Sequence, residues 1–125
     1  MPKIMLTAAF ANPEFASSDR EKGLEHLRSL GELVDEPAIL TADHAPDLIA
    51  SIAASSVYTD EFYEAATDLR IVARWGVSFD QVNVEGATRN GVIITITPVH
   101  MDAVAEYAVA QWMATLKRVY TLNRL

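Results

Sequence analysis

Leu69-Arg-Ile-Val-Ala-Arg-Trp-Gly-Val-Ser-Phe-Asp-Gln-Val-Asn83 decides how the rest of this chain is read. Residues 69–74 have the character of a short buried strand, and Gly76 breaks that strand into a tight loop, Gly76-Val77-Ser78. An open parallel sheet places its ligands beyond the carboxyl ends of its strands, and this loop falls there. A glycine in that place lets the backbone turn and approach a ligand closely. Successive N–H groups after such a turn form a small concavity suited to an anion, a carboxylate among them. Taken alone, the loop also fits a plain strand-to-helix turn with no ligand.

Outward from the loop, strands and helices alternate, as in a parallel α/β sheet. Residues 4–7 read as the first strand, and Ser18-Asp-Arg-Glu21 as a capping box. Leu24, Leu27 and Leu30 then give one apolar helical stripe, closed by Gly31 where a C-terminal glycine belongs. Residues 33–34 are a second strand. Residues 41–49 read as a stunted helix limited by Pro46, and 49–55 as a third strand. Thr59 caps a helix through Ala66, with Asp60 and Glu61 at its positive end. Residues 70–74 form the fourth strand. A short helix at 83–89 ends at Asn90-Gly91, and the β-branched run 92–95 is the fifth strand. Five β–α pairs predict a five-stranded parallel sheet of order 2-1-3-4-5. The last helix is predicted from Asp102 toward Leu125. Val104, Tyr107, Ala108, Val109, Trp112, Met113 and Leu116 make it apolar almost all round, which predicts burial on several sides. The sheet covers one of those sides; something else must cover the rest.

Composition removes several function classes. With 125 residues, half of them hydrophobic, the chain supports one domain with a core and is not a disordered protein. A net charge of −7 argues against nucleic acid, and Arg70, Arg74, Arg89, Lys117, Arg118 and Arg124 are scattered rather than clustered. The lack of Cys excludes a disulfide framework and a thiolate site, and fits a cytoplasmic origin. Met1-Pro-Lys-Ile leads directly into a strand without a signal peptide, and no apolar run is long enough to span a bilayer, so no membrane partner is expected. His26, His44 and His100 are too dispersed for zinc.

The sequence after the loop runs Val84-Glu-Gly-Ala-Thr-Arg-Asn-Gly-Val-Ile-Ile-Thr-Ile-Thr-Pro98, and then Ala103-Val-Ala-Glu-Tyr-Ala-Val-Ala110. In this order the segments resemble the D-isomer-specific 2-hydroxyacid dehydrogenases, the group of phosphoglycerate, glyoxylate and formate dehydrogenases. That family's pattern is a hydrophobic strand, Gly-Val-Gly-x-Asp-Asn, a short helix, Gly-[Ile/Val]-x-Val-x-Asn-x-Pro, and Val-Ala-Glu opening a long helix. The resemblance is clear over residues 69–119; over 3–68 only the order of elements fits. Ser78 stands for the second Gly, Gln81 for Asn and Ile96 for the later Asn, and the loop 98–102 is a residue short. The resemblance implies a flavodoxin-like three-layer α/β domain. Residues 1–101 would be the substrate-binding domain, and 102–125 the helix that bridges to a nucleotide-binding domain.

It also implies a division of labour. Gly76, Val77 and Ser78 match the loop whose N–H groups hold the substrate carboxylate; if position 78 needs positive φ, Ser costs about 1 kcal/mol there. His100, six residues before Glu106, matches a polar substrate-pocket position, against the alternative of an exposed loop histidine. Asp80 reads as a local turn former. Glu106 reads as a response to the helix dipole rather than a catalytic acid. Trp75 lines the pocket or packs beside it, and Ser56 and Tyr58 are weaker pocket candidates. No catalytic residue is assigned: the family's Arg, His and Glu trio is expected beyond Leu125. No G-x-G-x-x-G occurs, since Gly23, Gly31, Gly76, Gly86 and Gly91 are far apart. The chain is therefore expected to bind no cofactor itself, NAD(P) belonging to a parent enzyme that reduces or oxidises a small 2-oxo or 2-hydroxy carboxylic acid. The expected assembly is a homodimer through the last helix. The rival readings are a stand-alone or engineered flavodoxin-like protein without activity, and a small-molecule or flavin module. Against flavin, Thr7-Ala-Ala-Phe-Ala-Asn-Pro13 lacks a phosphate cradle.

Overall fold

A computed structural model of the chain describes residues 1–12, 14 and 16–123. Five parallel strands form the sheet: β1 (Lys3–Leu6), β2 (Glu32–Asp35), β4 (Leu48–Ala53), β6 (Ile71–Arg74) and β7 (Ile93–Thr95), in the order β2-β1-β4-β6-β7. Counted along the chain, this is the expected 2-1-3-4-5. A second sheet, absent from the sequence reading, pairs β3 (Ile39–Leu40) with β5 (Val57–Tyr58). Two residues per strand are too few for periodicity to reveal.

The strands alternate their side chains between two cores. Met5 and Val72 face the larger core, built with Phe62, Tyr63, Leu69, Val82 and Ala87 of α2 (Asp60–Ala65), α3 (Val84–Arg89) and adjoining turns. Ile4 and Leu6 face the smaller one, against Leu24 and Leu27 of α1 (Ser18–Leu30). Helices on both faces of the sheet give the three layers. The predicted stunted helix is a single 3-10 turn, Ala42–His44. Its His44 closes the turn, Nδ1 accepting from the Thr41 N–H at 3.1 Å.

Two terminus assignments change. Ser17, not Ser18, caps α1, its hydroxyl accepting from the Arg20 N–H at 3.1 Å. Gly31 follows α1 in an extended conformation, φ −179°, so it is not a left-handed cap. Glycine is needed because a Cβ there would lie 2.5 Å from the Pro2 carbonyl oxygen, where β2 begins its pairing with β1. By contrast α3 ends as read: Gly91, φ +68°, donates to the Thr88 carbonyl, and Val92 donates to that of Ala87. These two bonds are a Schellman motif.

The last helix departs most. α4 (Met101–Leu116) is followed by a break at Arg118, φ +52°, and a short α5 (Val119–Leu122). Arg124 and Leu125, in which the predicted helix ended, lie outside the described residues, as does Pro13. No residue of α4 is buried, and only Gln111 and Ala114 are half-covered. The expected burial against the sheet is absent. α5 folds back instead, and the Tyr120 hydroxyl donates to Gln111 Oε1 at 2.7 Å while Gln111 Nε2 donates to the Tyr107 hydroxyl at 2.8 Å.

Candidate functional site

The glycine loop lies at the carboxyl end of β6, between those of β4 and β7. Gly76 has φ +138°, a conformation that favours glycine. Ser78 is not among the residues with positive φ, so the strain considered for it does not arise. The loop is pinned from three sides. Trp75 N–H donates to the Ala53 carbonyl of β4 at 2.7 Å. From the exit of β7, Thr97 N–H donates to the Gly76 carbonyl at 2.9 Å and its hydroxyl to the Arg74 carbonyl at 3.0 Å. Beyond Ser78, the Gln81 carbonyl accepts from the Tyr58 N–H, and the Val82 carbonyl from the Tyr63 hydroxyl. Among the described residues, the N–H groups of Val77 and Ser78 have no intramolecular acceptor. They are open donors on a rigid turn.

Beside the loop is a cleft of about 200 Å³ lined by Ala54, Ser55, Arg74, Ser78, Asp80 and Gln81. Of the residues expected to bind substrate, Ser78 lines it directly. Gly76 and Val77 form the turn behind, and His100 does not line the cleft: it is the exposed residue before α4 and makes no capping hydrogen bond. Asp80 acts as the expected turn former, its Oδ2 accepting from the Ser78 hydroxyl at 2.9 Å. Glu106 is exposed and lies beyond the first turn of α4, where Asp102 is the acid that meets the dipole. Trp75 packs against Phe10, ring centroids 4.8 Å apart.

Ser56 and Tyr58 are not pocket residues. Both are buried, and Tyr58 sits in the larger core with its hydroxyl between Ser51 Oγ (2.6 Å) and Glu36 Oε1 (2.7 Å). Burial, then the Glu36 charge, push its pKa well above the usual phenol value. The cleft uses Ala54 and Ser55 instead. The sequence reading counted Arg74 only among the scattered basic residues. The signal was available: the last residue of a parallel strand sits at the ligand edge.

The N-termini of α1 to α4 do not fit a dinucleotide pyrophosphate. Each of α1 to α4 carries acid in its first turn: Asp19 and Glu21, Asp60 and Glu61, Glu85, and Asp102. Such carboxylates occupy the positive helix end that a phosphate would need.

Comparison with known proteins matches residues 15–123 to the catalytic domain of the D-isomer specific 2-hydroxyacid dehydrogenases. The chain belongs to that family. Glyoxylate reductase of Thermococcus kodakarensis is 32% identical over 126 aligned residues, covering 94% of this chain and 35% of the relative. The chain thus spans about a third of the length of the curated relatives it matches along most of its length. Among solved structures, a glyoxylate reductase from Paecilomyes thermophila superposes with a TM-score of 0.67 at 19% identity, covering 95% of this chain and 39% of that one. An NAD+-bound 3-phosphoglycerate dehydrogenase from Entamoeba histolytica gives 0.66 at 16% identity, covering 91% and 39%. At these identities the likeness is one of fold, and it agrees with the three-layer parallel architecture.

Proposed function

We propose that this chain is the substrate-binding part of an NAD(P)-dependent D-2-hydroxyacid dehydrogenase, with residues 1–101 as the substrate domain and the helix from 102 as its bridge to a nucleotide-binding domain. The observation that carries this reading is the pair of open N–H donors on Val77 and Ser78, behind a left-handed Gly76, at the carboxyl edge of the sheet. Backbone donors fixed by surrounding hydrogen bonds pay no reorganisation on binding, which suits them to a carboxylate. Their role is to hold and orient a small 2-oxo or 2-hydroxy acid. His100, directly before α4 and outside the lining of this cleft, would reach the ligand only from the bridging side.

NAD(P) supplies hydride chemistry in the parent enzyme; no residue here binds it, and no acid–base group here replaces the family's trio. The soluble assembly is a homodimer in the cytoplasm, in which a second copy covers the apolar side of α4. Titration with glyoxylate or pyruvate, followed by amide shifts, tests the loop. Val77 and Ser78 should move first and His100 with them, at millimolar affinity. Largest shifts at residues 10–12, or none at tens of millimolar, would overturn the assignment.

A further inference from the structure

One cation, Arg74, lines the cleft, and among the described residues it forms no ion pair. Arg74 is half-buried. Its Nη1 donates to the carbonyl oxygens of Ala53 at 3.2 Å and Trp75 at 2.8 Å, which fixes the guanidinium against β4 and the loop. A Cβ built on Gly76 would lie 3.3 Å from Nη1, 3.7 Å from Cζ and 3.8 Å from Nη2, so the charged plane lies along the glycine turn itself. Nη2 and Nε have no intramolecular acceptor among the described residues. Nor does Arg74 form an ion pair there, although the chain has 17 acidic residues. A partly desolvated guanidinium with unused donors gains most from an arriving carboxylate, because charge-assisted hydrogen bonds are about twice as strong as neutral ones. Asp80, on the same lining, is the opposing charge, and its Oδ2 is already engaged by the Ser78 hydroxyl.

The geometry points to Arg74 as this chain's own charged anchor for the substrate carboxylate: its guanidinium and the N–H groups of Val77 and Ser78 clasp one anion, with Asp80 on the same lining as the repulsive charge. This rests on the carboxylate reading of the loop. It adds that the half-site selects anions over neutral 2-oxo compounds with no residue from elsewhere.

The test is an amide-shift titration of the whole chain with pyruvate and with neutral pyruvamide, in the wild type and in Arg74→Gln, Arg74→Lys and Asp80→Asn. Wild type should prefer pyruvate, and added salt should weaken that preference. Arg74→Gln should lose about tenfold in pyruvate affinity, as loss of a charged hydrogen bond predicts. Arg74→Lys should keep part of it, and Asp80→Asn should bind severalfold tighter. The wild-type comparison of pyruvate with pyruvamide needs no variant, so a poorly folded Arg74→Gln does not void the test. Equal binding of the two compounds, or wild-type pyruvate affinity in a folded Arg74→Gln with Val77 and Ser78 still shifting, overturns the anchor and leaves the loop reading standing. Absence of any shift at Val77 and Ser78 in the wild type overturns both.

Discussion

Gly31 and Gly23 show how the same residue type carries opposite demands. A side chain at Gly31 would collide with the Pro2 carbonyl, whereas a Cβ at Gly23, on an exposed turn of α1, meets nothing within 4 Å. Gly31→Ala should therefore cost about 2 kcal/mol or more, because the clash is with backbone that β1 pairing holds in place. Gly23→Ala should stabilise by about 0.5–1 kcal/mol through helix propensity. Urea midpoints of the two variants should fall on opposite sides of wild type; a shared direction would contradict the placement of both residues.

Tyr58 makes a second prediction at the same scale. Burial and the Glu36 carboxylate raise its pKa, and burial raises that of Tyr63. Both groups stay neutral in the fold while their unfolded counterparts ionise near pH 10. The folded chain then binds more protons than the unfolded one, so stability is complete below about pH 10 and falls as pH rises beyond it. Tyr58→Phe leaves Glu36 without its hydroxyl donor and should lower stability at neutral pH by about 1–3 kcal/mol. It should also flatten the alkaline decline. Denaturant midpoints of both proteins from neutral pH to about pH 11 decide this, and an unchanged alkaline slope would rule out the linkage.

At the scale of elements, most of the sequence reading held, and its failures share a cause. Asn83 caps α3 from a left-handed conformation, its side chain accepting from the Gly86 N–H, and Thr59 caps α2 through the Phe62 N–H. Such caps span three or four residues, so local sequence carries them. α4 failed because apolar content predicts that a face is covered but does not name the cover. Val104, Tyr107, Val109, Trp112, Met113 and Leu116 are all more than 40% exposed, and Ile93 on edge strand β7 is 62% exposed. An apolar surface of that extent associates in water. Trp112→Glu should shift the chain toward monomer in sedimentation velocity, with an unchanged circular dichroism spectrum. A wild-type chain that is monomeric at high micromolar concentration would contradict self-association through this helix.

For the whole molecule, the two cores on opposite faces of one sheet predict a single cooperative unit. Sheet pairing links β1, β2, β4, β6 and β7 without a break, and both cores share strands β1 and β4. Thermal melting should show one transition by circular dichroism, while loss of near-ultraviolet signal at retained helix content would mark a molten state instead. The same molecule should not turn over 2-oxo acids with NADH or NADPH. The N-termini of α1 to α4 carry acids where a pyrophosphate would bind. Oxidation of NADH above a heat-treated control, or micromolar NADH binding by fluorescence, would refute that.

The order of elements, the parallel sheet, the glycine turn at its carboxyl edge and the family were all legible in the sequence. The elements and the turn depend on patterns within about ten residues, such as a β-branched run, a cap, or Gly after a strand, and the family on the order of several such motifs over residues 69–119. Only the tertiary structure decided the rest. It laid the Arg74 guanidinium along Gly76 and sent Tyr58 into the core against Glu36. It replaced Ser56 in the cleft wall by Ala54 and Ser55, and it left α4 bare. Tyr58 and Glu36 are 22 residues apart, and Arg74 reaches Ala53 across 21. The direction of such side chains is set by which strands become neighbours, a non-local choice that burial and hydrogen-bond satisfaction settle for the chain as a whole.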